Sequence, residues 1–197
     1  MKSPAFGRRA QILLLALAAT STSAAVAAES PPAAPPTAVT AQPPNVRSGL
    51  RLPEINLHDP WILADKSTET YYLYTSAPSR QTGQNRTGTF AYQSKDLATW
   101  EGPFVVFTVP DDSWAAPQVN AWAPEVHAYK GKFYLFTTLH NPEKTLPTLV
   151  PSRPNLMRAT MIAVSDSPAG PFRLLNKAGP VTPPNFMTLD GTLYVDP

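Results

Sequence analysis

Aromatic, β-rich segments recur along this chain in a fixed order, and that recurrence restricts its fold more tightly than any other property of the sequence. Tyr71-Tyr72-Leu73-Tyr74-Thr75 is answered further on by Phe133-Tyr134-Leu135-Phe136-Thr137. Asp96 is answered by Asp166, and Gly102-Pro103-Phe104 returns as Gly170-Pro171-Phe172, each at a similar offset. Thr89–Ser94 and Met161–Ser165 add a further pair of strand-like runs. No sustained helical period interrupts Leu52–Pro197, so the fold class is all-β. Self-similarity at such a period marks repeated supersecondary units, and units of several antiparallel strands are the blades of a β-propeller. Turn signals fall inside each unit at Ala64-Asp65-Lys66-Ser67 and Tyr129-Lys130-Gly131-Lys132. The long segments Pro78–Arg86 and Asn141–Asn155 read as loops.

A short acidic motif stands at the head of each unit. The three are His58-Asp59-Pro60-Trp61-Ile62, Ala123-Pro124-Glu125-Val126 and Leu189-Asp190-Gly191-Thr192-Leu193-Tyr194, and the steps from Asp59 to Glu125 and from Glu125 to Asp190 are nearly equal. The first strand of a blade lines the central axis, so Asp59, Glu125 and Asp190 are expected around one funnel. Carboxylates gathered in this way suit glycosidic bond cleavage. One activates water or attacks directly, and another, kept protonated by its surroundings, donates to the leaving oxygen.

These three motifs, in this order, resemble the successive blade-opening motifs of family-43 glycoside hydrolases. Ser94-Lys95-Asp96-Leu97 and Ser165-Asp166-Ser167-Pro168-Ala169-Gly170-Pro171-Phe172 resemble the segments that close blades in such proteins. The resemblance covers Leu52 to the C-terminus and implies a five-bladed β-propeller, incomplete here, with about two blades and the first strand of a third. It also implies arabinosidase- or xylosidase-like, inverting hydrolysis of a polysaccharide or oligosaccharide. In that scheme Asp59 is the general base, and Asp190 tunes the pKa of a donor that a later blade supplies. The chain is therefore expected to be a fragment lacking its proton donor, poorly stable and inactive by itself. A non-catalytic glycan-binding propeller is the alternative, and a purely structural propeller would need no acids at its axis.

Beside the acids stand Trp61 and Trp122, each readable as core packing or as a stacking platform for a sugar ring. Glu125 is placed near the pocket as a structural or sugar-contacting residue. His58 and His127 are expected to orient carboxylates or contact substrate. They lie far apart in sequence, without the clustered third ligand a catalytic zinc needs, so no metal is assigned. Some related enzymes carry a calcium ion in the central channel, which leaves a non-catalytic calcium open; no other cofactor is implied.

Ahead of the repeats the composition changes. Residues 1–28 carry Lys2, Arg8 and Arg9, then an apolar stretch, then Ala25-Val26-Ala27-Ala28, the order of a secretory signal peptide. Its apolar core is too short to cross about 30 Å of hydrocarbon. Residues 29–48 are rich in proline and alanine and read as a linker. The foldable domain is then 49–197. Removing the signal leaves 13 basic against 14 acidic residues from the full 16 and 14, a net charge of −1. No basic run remains to hold a phosphate backbone, so nucleic acid is not expected as a partner. The mature chain is expected to be secreted or periplasmic, off the membrane and monomeric. With no cysteine it must rely on packing rather than disulfides.

Overall fold

In the computed structural model, residues 45–147, 152 and 155–196 are described, and the proposed signal peptide and most of the linker lie outside them. All of the described residues belong to one unit, Thr37–Pro197. They form nine strands, two single-turn 3-10 helices (Leu52–Glu54 and Ser79–Gln81) and no α-helix.

The strands make two antiparallel sheets. The first contains β1 (Arg47–Leu50), β2 (Trp61–Asp65), β3 (Thr70–Ala77), β4 (Gly88–Ser94) and β5 (Trp100–Thr108), ordered β1-β5-β4-β3-β2. The second contains β6 (Trp122–Tyr129), β7 (Lys132–Leu146), β8 (Asn155–Ser165) and β9 (Arg173–Leu174), ordered β6-β7-β8-β9. In each sheet β2–β5 or β6–β9 pair in sequence order, the meander of a propeller blade. β1 begins at Arg47, inside the stretch read from sequence as the end of the linker, and caps the outer edge of the first blade. The segment read as a loop over 141–155 is shorter than expected, because β7 and β8 continue pairing beyond Asn141, past an irregularity, to Leu146 and Asn155.

The repeated aromatic runs become the second strand of each blade, β3 and β7. Tyr74 and Leu135 are fully buried, and with Val106, Val126, Leu139 and Met161 they build one core drawn from both sheets. A second cluster around Leu73, Phe90 and Trp100 fills the first blade's other side. Three hydrogen bonds stitch the sheets together. The Trp61 indole N–H donates to the Val126 carbonyl (2.8 Å), the Tyr74 hydroxyl to the Pro168 carbonyl (2.7 Å), and the Phe172 amide to the Val106 carbonyl (2.8 Å). The second Gly-Pro-Phe copy, 170–172, thus sits at the seam between blades, whereas the first, 102–104, lies within β5 between β4 and β1.

The third unit begins differently. The segment 189–194, expected as a first strand, forms no ladder among the described residues. In a meander the first strand pairs with the strand that follows it, and none follows here among the described residues. The segment instead crosses the second blade, with the Asp190 amide donating to Thr138 Oγ1 (3.0 Å).

Candidate functional site

Antiparallel pairing puts the heads of β2 and β6 and the segment at Asp190 at the same end of the molecule, together with the connections 78–87 and 109–121. The far end carries the tight turns. The turn 66–69 joins β2 to β3, whereas the shorter turn 130–131 joins β6 to β7. That inequality shifts the repeat. Ala64 faces Tyr71 and Ala128 faces Phe133, so the offset between equivalent positions is longer in the first strands than in the second.

This register corrects the sequence alignment of the acids. The counterpart of Asp59 is Ala123, and Glu125 is the counterpart of Trp61. The backbone shows the same equivalence, since Asp59 (φ 48°), Ala123 (φ 45°) and Asp190 (φ 51°) all adopt the left-handed conformation. Asp tolerates that region better than most residues, because its short side chain bonds locally. Only the first and third of these positions carry an acid.

A buried threonine holds each turn in place. Thr75 Oγ1 accepts from the His58 amide (2.8 Å) and donates to the His58 carbonyl (2.9 Å). In the second blade Thr137 Oγ1 donates to the Trp122 carbonyl (3.0 Å). Thr75 and Thr137 close the two aromatic runs, so their recurrence was visible in the sequence although their role was not. His58 Nδ1 then lies 3.0 Å from Asp59 Oδ2, with the Asp59 side chain about half exposed (52%). The first motif therefore presents an accessible carboxylate steadied by an imidazole.

The other candidates form two further groups. Glu125, His127 and Thr192 meet, with Thr192 Oγ1 donating to Glu125 Oε1 (3.1 Å) and lying 3.3 Å from His127 Nε2, and with His127 Nε2 3.4 Å from Glu125 Oε1. The His127 ring lies between Trp61 (5.1 Å) and Phe136 (5.7 Å). Trp61, with its N–H committed to Val126, has a structural task in this group. Trp122 belongs to the second group, edge-on to His140 (4.3 Å) and under the Arg158 guanidinium (5.3 Å). His140 is a buried residue of β7, and its Nδ1 lies 2.6 Å from the Asn120 carbonyl. That contact puts the ring proton on Nδ1. Burial pushes the pKa of His140 below its ordinary value, the Asn120 carbonyl opposes the shift, and the Arg158 charge adds to it. Arg158 escaped the sequence reading because nothing in its local pattern sets it apart from a solvated arginine. Calcium needs six to eight oxygen ligands, and no cluster of three or more His, Cys, Asp or Glu suited to an ion occurs among the described residues. No step is therefore routed through one.

Comparison with known proteins agrees with the fold. Residues 53–197 match the family described as Glycosyl hydrolases family 43. An endo-arabinase from Bacteroides thetaiotaomicron VPI-5482 superposes with a TM-score of 0.60 at 37% identity, over 76% of this chain and 45% of that one. A thermostable family-43 glycoside hydrolase superposes with a TM-score of 0.51 at 22% identity, over 79% of this chain and 40% of that one, a likeness of fold. In sequence, 88 residues are 28% identical to the extracellular exo-alpha-(1->5)-L-arabinofuranosidase of Cellvibrio japonicus (strain Ueda107), 42% of this chain and 22% of the relative. The chain thus spans less than half the length of these relatives.

Proposed function

The chain belongs to family 43 of the glycosyl hydrolases, and from that membership we propose that it serves an exported, inverting glycosidase acting on arabinose- or xylose-containing glycans. The observation that carries the proposal is the shared backbone state of Asp59 and Asp190, two carboxylates presented by equivalent left-handed turns at the heads of their units. Support for the substrate comes from the endo-arabinase and the arabinofuranosidase among its relatives. Support for export comes from the basic-apolar-small order of residues 1–28 and from the extracellular relative.

Asp59 is the general base. Its exposed carboxylate accepts a proton from water, which attacks the anomeric carbon from the face opposite the leaving group and inverts the centre. His58, 3.0 Å from Oδ2, fixes the carboxylate's orientation. Asp190 contributes a second negative charge, which holds a nearby acid protonated because like charges in a confined site resist joint ionisation. Neither described blade supplies a residue to which the donor's role is assigned. Trp122 offers its ring to a sugar face, and Glu125 and His127 stand beside the third unit's motif as further contacts.

The test is release of reducing sugar from arabinan and arabinoxylan by the product of the whole reading frame, with and without Asp59→Asn. Release that collapses in the variant supports the assignment. Retained glycan binding without release by either protein would favour a glycan-binding propeller instead.

A further inference from the structure

Asp190 is exposed, so its place in the molecule is set by its backbone, and that backbone is held by the neighbouring blade. The acceptor of its amide, Thr138 Oγ1, belongs to a fully buried residue of β7, flanked by Trp122 of β6 and Thr160 of β8. A β-branched side chain in the middle of a sheet has little rotamer freedom, so its hydroxyl is a fixed acceptor. Thr160, the cross-strand partner of Thr138, supplies a second contact. A methyl added at Gly191 would collide with Thr160 Cγ2, so glycine is what lets the chain lie this close to β8. Just before the turn, the Thr188 amide donates to the Arg158 carbonyl (3.3 Å), and Thr188 Oγ1 accepts from the Thr160 amide (3.2 Å).

The first blade shows what this contact adds. The aromatic runs align Tyr71 with Phe133 and Thr75 with Thr137, so Ser76 is the counterpart of Thr138. Ser76 Oγ is shielded from solvent and has no hydrogen-bond partner among the described residues. The head of the unit that follows it is Ala123, which carries no acid. Nearby, the Ala121 amide donates to Thr87 Oγ1 (3.2 Å). Of the two equivalent hydroxyls, the one that holds the next unit's head is the one whose next unit opens on a carboxylate.

We infer that Thr138 is a positioning residue for Asp190, acting from the blade before it, with the contact between Thr160 and Gly191 fixing how closely the turn approaches. The inference rests on the reading of Asp190 as the charge that keeps a donor protonated. The interaction between two charges weakens as they separate, so a loosened turn lets the donor's pKa fall. The donor must be protonated to act, and its pKa sets the alkaline limb of the pH–rate profile. Loosening therefore moves that limb to lower pH. The strands that the segment crosses also carry Glu125, His127, His140 and Arg158, and every variant below keeps all four.

Two readouts test it in the product of the whole reading frame. The pH–rate profile on arabinan is measured for Thr138→Val, Thr138→Ser and Asp190→Asn beside the unaltered protein, and exchange of the Asp190 amide is followed by NMR with isotope-labelled aspartate. Thr138→Val should move the alkaline limb down by about 0.5–1 pH unit, the direction taken by Asp190→Asn, and Thr138→Ser should keep it in place. The Asp190 amide should exchange about fivefold to tenfold faster in Thr138→Val, as for one lost hydrogen bond, with the amides of β3 and β4 unchanged. Gly191→Ala should move the limb the same way with Thr138 intact, and adding Thr160→Ser, which removes the obstructing methyl, should return it. A limb and an Asp190 amide that both stay in place in folded Thr138→Val overturn the positioning role, as does a rate lowered at every pH with the limb unmoved. A limb unmoved by Asp190→Asn, with the Asp190 amide less protected in Thr138→Val, removes the charge role given to Asp190 and leaves Thr138 as the residue that holds the turn. Amide exchange reads the contact even where no sugar is released, so failure of the glycosidase reading is seen separately.

Discussion

Asp59, Ala123 and Asp190 share a backbone conformation, and only the first and third carry a carboxylate. At Asp59 a carboxylate stands where the proposed mechanism calls for a water-activating base. In the product of the whole reading frame, Asp59→Asn keeps the shape, removes the proton acceptor, and should lower the turnover number by about 10²- to 10⁴-fold while leaving the thermal midpoint nearly unchanged. At Ala123 the left-handed conformation has no side-chain compensation. Ala123→Gly should therefore raise stability by about 0.5–1 kcal/mol, read as a higher urea midpoint. Thr75 is fully buried and serves both polar groups of His58. Thr75→Val keeps its volume, should cost about 1–3 kcal/mol, and should reduce activity beyond the loss of folded protein, because the turn under Asp59 loosens. His140 supplies a pH dependence. Its folded pKa lies below the ordinary value of 6.5, so the unfolded chain binds the proton first as the pH falls. Stability from this residue is whole above about pH 6.5 and is lost below it, by at most about 1.4 kcal/mol per pH unit. Melting curves between pH 7.5 and 5 should show that slope, and His140→Gln should flatten it. At this scale the sequence pointed to Asp59 and Asp190 through their motifs, and the two positions share a left-handed backbone state. It set Glu125 level with Asp59, whereas the register makes Glu125 the counterpart of Trp61, because an acid a little way into a strand looks the same in one dimension as an acid at its head.

Strands announced themselves unevenly. β3, β4, β7 and β8 were legible from their apolar, aromatic or β-branched segments, which are largely buried except in the far half of β7. β5 was read only as a closing motif, since Gly102 and Pro103 interrupt it, yet a register irregularity lets the ladder with β4 continue past them. β1 is exposed at every position but Leu50, a pattern no different from a linker, and only its pairing with β5 makes it a strand. The unequal hairpin turns, 66–69 against 130–131, are what made the repeat appear at several periods at once. At the head of β4 a side chain on Gly88 would run into the Phe107 carbonyl. Gly88→Ala should force the β4–β5 pair apart and destabilise the chain by about 2–4 kcal/mol, with faster hydrogen exchange in β4 and β5 than in β7 and β8.

The two blades hold together through a shared apolar core and a few directed bonds rather than through covalent links. Tyr74 is the central example. Its ring is fully buried in β3, and its hydroxyl reaches the Pro168 carbonyl of the neighbouring blade. Tyr74→Phe should cost about 1–2 kcal/mol by stranding that carbonyl, and the loss should appear as a lower thermal midpoint without a change in far-ultraviolet dichroism. Family membership and the all-β plan were readable at this scale because short motifs in order carry more information than any one of them. Which blade touches which, and through which atoms, was not readable, since Tyr74 and Pro168 are distant in the chain with no local sign of their partnership. The turns 66–69 and 130–131 stand at the end of the strands opposite Asp59, separated from it by the length of β2, roughly 17 Å. Lys66 and Lys130 are both exposed there, so coupling the protein to an amine-reactive bead through either lysine would leave the end that carries Asp59 turned toward the liquid.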